Sequence, residues 1–400
     1  MKLNKSPGSD GLTVEFYRKF WPKIGDFLVN SLNHSYEKGE LSSSQKHSIL
    51  SLIYKKGDPN NIENWRPISL LNIDYKIATR CLSKRLQKVL PDLISMDQQG
   101  YIKNRNICFN IRQIQDIIDY ADLFEIDGVI LFLDFKKAFD TVEHEFMLKT
   151  LQQFGFGDSF IKWIKTLYNN ITSCIFNNGW RSKTIHPSRG LKQGCSLSAL
   201  VYILVAEILA IKLRKSEEFQ GICLEKIDKP DTYIKLTQLA DDTTIFCQNK
   251  NDAKNALKLV ENFGSFSGLK LNRLKTECLW IGNTKHSKEN IDDIKFSKQV
   301  KALGIIFGHD DETCSLKNWE KPLDACRTII KSWSKRNITF YGRVTIIKTM
   351  LLSKFIYLFQ SLKVPDKIID EINKMFFSFF MEWQTRKKKK KNFDWKKRAG

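Results

Sequence analysis

The chain has 400 residues, 42% of them hydrophobic, enough to bury a large core and to divide into two or three domains. A formal net charge of +21 and a pI near 9.4 point to a polyanionic partner, nucleic acid before an acidic membrane, since no interfacial Lys/Arg helix stands out. The nine cysteines are scattered without a C-x-x-C pair or a His at ligand spacing, which sets aside zinc sites and disulfide frameworks and fits a reducing compartment, nuclear or cytoplasmic.

The N-terminal residues lack the apolar core of a signal peptide. A turn-rich opening, Lys5-Ser6-Pro7-Gly8-Ser9-Asp10-Gly11, leads to helices over 14–21 and 25–38, the second ending at Gly39. Residues 48–54 alternate like a strand and run into a basic turn, Lys55-Lys56-Gly57-Asp58-Pro59. After Asn64-Trp65-Arg66-Pro67-Ile68-Ser69 comes a helix over 74–90, bounded by Pro91. A polar and basic loop, residues 98–105, precedes a helix over 108–123. Val129-Ile130-Leu131-Phe132-Leu133 is a continuous apolar run of the buried-strand kind, with Asp134 at its carboxyl end. Helices over 142–154 and 160–169 follow, then a hairpin turning at Asn178-Gly179.

The loop Arg189-Gly190-Leu191-Lys192-Gln193-Gly194 opens into the longest apolar helix, 197–213, which Glu207 interrupts and which falls short of a membrane span. Next is a hairpin with Asp241-Asp242 at its tip, between apolar or β-branched flanks. A helix over 252–266 ends at Gly268, and short strands over 269–272 and 277–281 flank a loop carrying Lys275. Residues 282–293 read as loop and 299–307 as a small hairpin or edge strand. Helices over 319–333, 342–352 and 367–380 form a helical domain, in which Phe376-Phe377 and Phe379-Phe380 are core or an uncovered face. Six successive basic residues, 386–391, open a tail expected to be disordered.

An Asp-Asp turn read alone is as well explained by solvation. A buried strand end is, however, a poor place for unpaired negative charge, and Asp134 beside Asp241 and Asp242 would make three carboxylates at one sheet edge. Two Mg²⁺ ions about 3.5–4 Å apart would then serve an in-line phosphoryl displacement. Asp140, with Glu143 three residues on, fits a helix N-cap and capping box. Lys55, Lys56, Arg66, Lys103 and Arg105 flank turns where they could clamp phosphates, and Lys275 could protonate a departing pyrophosphate. Each basic residue taken singly is better explained as a solubilising surface charge; the set together points to nucleotidyl transfer on nucleic acid.

The motifs 5–11, Asn64 to Asn72, Asp97 to Arg105, Leu133-Asp134-Phe135-Lys136-Lys137-Ala138-Phe139-Asp140, Gly190 to Cys195, Ala240-Asp241-Asp242 and Ser267 to Glu277 occur in one order. The chain resembles in this the reverse transcriptase domain of LINE-type (non-LTR) retrotransposons, over nearly its whole length. The resemblance implies an α+β right-hand polymerase: interleaved fingers (1–128) and palm (129–308), a helical thumb (309–383) and the basic tail (384–400). It implies RNA-templated DNA synthesis from dNTPs on a DNA primer, with two Mg²⁺ ions (Mn²⁺ as a substitute) held by Asp134, Asp241 and Asp242. Phe139 would be the gate against a ribose 2′-hydroxyl. Gln193 and Gly194 would pack beneath the incoming nucleotide and template base, Arg66 would reach the triphosphate, and Lys275 would be the general acid.

Four positions depart from the family pattern. Leu239 stands for an aromatic, Ser196 and Ala199 for prolines, and Ala302 for a tyrosine. They leave a second reading open, a decayed remnant that only binds nucleic acid, beside a third, another palm polymerase such as an intron maturase. Full-length members of the family carry an endonuclease domain before this region and a Cys/His-rich segment after it; neither is visible here, so the sequence reads as a domain or fragment.

Overall fold

The computed structural model describes residues 1–224 and 233–397, with the side chains of 311, 312 and 382–397 outside that description. The chain divides into two compact units: residues 1–105, 129–277 and 290–295, and residues 106–128, 278–289 and 296–400.

In the first unit, the strand His47–Tyr54 runs antiparallel to Trp65–Leu71 and parallel to Thr172–Asn177, which folds back onto Trp180–Arg181. The turn of that last hairpin falls at Asn178 and Gly179, both with positive φ (48° and 83°), as an Asn-Gly pair favours. Gly128–Leu133 is buried along its whole length, as its unbroken apolar run predicts. It pairs antiparallel with Asp242–Cys247, which pairs in turn with Leu236–Leu239.

The helix Ser196–Lys215 packs on Ile73–Leu93 and forms the middle of the core. Contrary to the sequence expectation, it has the length and apolarity of a membrane-crossing helix, yet 72% of its most apolar window is buried within this chain. Its interrupting acid, Glu207, is paired with Arg214 seven residues on. The two expected N-terminal helices are one, Val14–Lys38. Thr13 caps its start and Gly39, at φ 77°, its end; Pro22 removes a single internal N–H and the helix runs through it. The stretch 269–272 makes only one bridge, Phe135 with Leu271, in place of the expected strand.

The second unit is built on Ile107–Leu123, the hairpin Gln299–Ala302 with Ile305–Gly308, and the helices Asp311–Ser334, Phe340–Ile346, Ile356–Ser361 and Asp366–Lys397. Trp319 is fully buried and stacks on Phe355 with ring centroids 6.4 Å apart. Phe379 is 2% exposed while Phe377 is 64% exposed, so the phenylalanine pairs supply both a core residue and an open one. The last helix extends to Lys397, into the segment set apart by sequence as a basic tail. Contacts of those basic side chains lie outside the described residues.

Candidate active site

The register of the acid-bearing hairpin places Leu239 opposite Asp242, which leaves a two-residue turn, Ala240-Asp241. On the other side, Leu133 sits opposite Thr243. One further step of that ladder sets Asp134 beside Asp242. The three carboxylates expected from sequence therefore meet at one end of neighbouring strands.

The electrostatics record this crowding. The Asp242 carboxyl is pushed up to about 6, by desolvation first and then by the negative charges of Asp241 and Asp134, with Lys55 pulling the other way. Asp242 is an exposed residue, so the like charges are the part of that shift that a ligand must answer. The buried Tyr202 phenol is also raised well above its ordinary value, by burial and then by Asp241 and Asp242, and stays neutral beneath them.

Asp134 is held from a second direction. Asn272 donates its side-chain amide to Asp134 Oδ2 at 2.7 Å and its backbone N–H to the Asp134 carbonyl at 2.7 Å. The Asp134 N–H donates to Thr276 Oγ1 at 3.3 Å. This ties the Lys275 loop to the strand end: Lys275 is exposed, its N–H bonded to the Asn272 carbonyl at 3.0 Å.

Phe139 stacks on Tyr202, with centroids 4.4 Å apart and planes at 19°, so it adjoins the acids through that ring. Its carbonyl accepts from Leu191 at 2.7 Å, which fastens the glycine-punctuated loop to the segment after Asp134. Gln193 donates Nε2 to Asp140 Oδ1 at 2.7 Å, and its carbonyl accepts from Ser69 at 2.8 Å. Gly194 has φ 114°, and a methyl there would lie 2.7 Å from the Ser69 carbonyl oxygen. Arg66 shares that strand with Ser69, is exposed, and is close enough to help lower the Asp140 carboxyl, which burial raises overall. Arg66, Phe139, Gln193, Gly194 and the three aspartates are thereby linked in one neighbourhood.

Two expectations are corrected. Asp140 caps no helix: Lys137 takes the N-cap position of the short helix Ala138–Thr141, Glu143 that of the next, and the Asp140 carboxylate is committed to Gln193. Arg105 clamps no phosphate. It donates to the carbonyls of Ile94 and Gln98, each at 2.7 Å, and to that of Ser95, closing the end of Ile73–Leu93.

One residue of the motif Asp97 to Arg105 drew no role from sequence. Gln98 is fully buried, and its Oε1 accepts from the N–H groups of Gly100 and Ala240, both at 2.8 Å, while Nε2 donates to the Ala240 carbonyl at 3.3 Å. Ala240 holds φ 57°, a left-handed conformation that costs a residue with a Cβ about 1–2 kcal/mol.

The donor set is of the kind a hard divalent cation takes: carboxylate oxygens on adjacent strand ends, one of them raised by desolvation and then by its like-charged neighbours. Among the described residues no group of three or more His, Cys, Asp or Glu side chains is placed closely enough to hold a metal ion.

Residues 53–307 match the family described as reverse transcriptase (RNA-dependent DNA polymerase). The chain is 32% identical to the transposon TX1 149 kDa protein of Xenopus laevis over 95% of its own length and 29% of that protein. It is 28% identical to a retrovirus-related Pol polyprotein from an R2 retrotransposable element of Popillia japonica, over 69% of this chain and 37% of that one. It thus spans well under half of these relatives. Among solved structures, apo telomerase from Candida tropicalis superposes with a TM-score of 0.51 at 14% identity, covering 90% of this chain and 61% of that one. That likeness is one of fold, the α+β right-hand polymerase fold.

Proposed function

The chain belongs to the reverse transcriptase (RNA-dependent DNA polymerase) family, and from that premise we propose that it extends a DNA primer on an RNA template with dNTPs, as the polymerase part of a non-LTR retrotransposon protein. The observation that carries this reading is the placement of Asp134, Asp241 and Asp242 at one strand end, with the Asp242 carboxyl raised by desolvation first and then by the other two.

Asp134, Asp241 and Asp242 are the residues that would hold Mg²⁺, or Mn²⁺ in its place. When bound, such ions supply activation of the primer 3′-oxygen and charge neutralisation on the phosphates. Asn272 orients Asp134 through its amide, so the carboxylate presents its remaining lone pairs. The primer oxygen attacks the α-phosphorus, the bond to the bridging oxygen breaks, and pyrophosphate leaves. Lys275, on the loop tied to Asp134, is assigned the proton that pyrophosphate takes up. Arg66 is exposed on its strand for the triphosphate, and its fork suits bidentate phosphate contact. Gln193 and Gly194, fixed against Asp140 and Ser69, form a floor for the nascent pair. Phe139, braced on Tyr202, presents a ring where a 2′-hydroxyl would enter.

The test is extension of a DNA primer on RNA and on DNA templates with Mg²⁺, alongside a melting curve showing that the protein is folded. Incorporation on the RNA template supports the proposal. Tight template binding without incorporation by folded protein would mark the chain as a binding remnant instead.

A further inference from the structure

We infer that Gln98 is a positioning residue for polymerisation, acting through the turn that carries Asp241; the inference rests on the reading of the acids given above. The turn between the paired strands has two residues only, and the first of them, Ala240, is held at φ 57° without a glycine's freedom. Such a conformation persists where the surroundings over-determine it. Gln98 supplies that constraint. Its side-chain amide takes both polar groups of the Ala240 backbone, N–H to Oε1 at 2.8 Å and carbonyl to Nε2 at 3.3 Å, as a strand partner would.

The clasp has its own support. The Gln98 carbonyl accepts from Arg105 at 2.7 Å, and Arg214 grips Asp97, the preceding residue, at 2.6 Å. The neighbouring backbones form a ladder with the hairpin: Gln238 N–H to Asp97 O at 2.8 Å and Gln99 N–H to Gln238 O at 2.9 Å. Gly100 completes the fit, because a methyl there would lie 2.6 Å from the Ala240 nitrogen. The segment 97–100, buried from Gln98 on, is therefore a mould pressed against one turn, and that turn sets where the Asp241 carboxylate stands relative to Asp134 and Asp242. Glutamine suits the task because one neutral side chain both accepts and donates, adding no charge beside three acids.

The experiment compares wild type, Gln98→Met and Gly100→Ala in single-nucleotide incorporation, template–primer binding, thermal melting and backbone amide exchange at Ala240. Gln98→Met keeps the volume and removes the clasp; Gly100→Ala keeps Gln98 but sets a methyl 2.6 Å from the Ala240 nitrogen and 2.9 Å from Gln98 Oε1, displacing the turn and crowding the clasp. Both are expected to slow incorporation about 100-fold, the cost of roughly 1 Å of misplacement, with template–primer affinity unchanged. In Gln98→Met the Ala240 amide should lose its protection from exchange. Adding Ala240→Gly to Gln98→Met should recover incorporation by roughly 5–30-fold, because glycine accepts the left-handed conformation without the clasp.

Wild-type rates with a protected Ala240 amide in Gln98→Met would overturn the inference. So would a loss of incorporation that follows the unfolded fraction and is not restored by Ala240→Gly. If the wild type incorporates nothing, the polymerase reading fails, while amide exchange still decides whether Gln98 holds the turn.

Discussion

Asp242 is where the chemistry of the site is written most plainly at the scale of one residue. Its carboxyl stands at about 6 in the folded chain against 3.8 for the free group, so the folded state binds the proton more tightly than the unfolded state does. The stability that this proton contributes is fully present below 3.8 and is lost as pH rises through about 6. Asp242→Asn should therefore raise the melting temperature of metal-free protein at pH 7.5 by a degree or two, roughly, and the gain should vanish near pH 4. Melting curves in chelator at both pH values check this; equal shifts at both would mean that charge crowding is not what burdens the native state. Phe139→Ala makes a separate test. It removes a ring stacked on Tyr202 and should admit ribonucleotides in steady-state incorporation. Unchanged discrimination would remove Phe139 from the gate.

At this scale the acids were legible, because a carboxylate ending an apolar strand and a pair at a hairpin tip are anomalies of charge against burial. Arg105 and Asp140 were not. Both look like surface or cap residues until the fold hands Arg105 four carbonyls and Asp140 an amide from a loop fifty-three positions away.

Among elements, the loop Gly190 to Gly194 does the joining. Its backbone bonds to Phe139 and Val142 on one side and Ser69 on the other, which binds the strand of Arg66 to the segment after Asp134. Gly190, at φ 88°, would drive a methyl to 2.6 Å from the Asp140 carbonyl oxygen, and Gly194 meets Ser69 in the same way. Gly194→Ala should destabilise the fold by about 1–3 kcal/mol, read by denaturant unfolding, and should raise the KM for dNTP more than it lowers template–primer affinity. A neutral substitution would show that the loop relaxes without cost.

Of the four departures from the family pattern, the one at Ser196 has a physical account. Ser196 is the first residue of its helix, a position where proline contributes only a preset φ, and its hydroxyl reaches Ser83 at 3.4 Å. Helices and the buried strand followed from periodicity and caps. The parallel pairing of His47–Tyr54 with Thr172–Asn177 did not, because it joins residues more than a hundred positions apart and leaves no local mark. Nor did the single helix Val14–Lys38, read from sequence as two, because Pro22 costs it one N–H without ending it.

For the whole molecule, a net charge of +21 spread over many lysines and arginines means that affinity for nucleic acid is distributed, whereas catalysis is concentrated in a few acids. Template–primer affinity should fall by about 10³-fold or more between 50 and 200 mM salt if six to ten phosphates are engaged, while Asp241→Asn changes that affinity little. A flat salt dependence would place the excess charge elsewhere. The division into two units also explains what composition could not foresee: Ile107–Leu123, which sequence order places with the N-terminal region, belongs with the C-terminal helices, because its apolar face packs on Ile356–Ser361.

The most direct measurement is single-turnover incorporation of a dNTP opposite an RNA template with Mg²⁺, with wild type and Asp241→Asn at matched template–primer occupancy. The placement of Asp134, Asp241 and Asp242 at one strand end predicts incorporation by wild type and a loss of at least ~1,000-fold in the variant. Equal rates in the two proteins, or none in a folded, template-bound wild type, would contradict it.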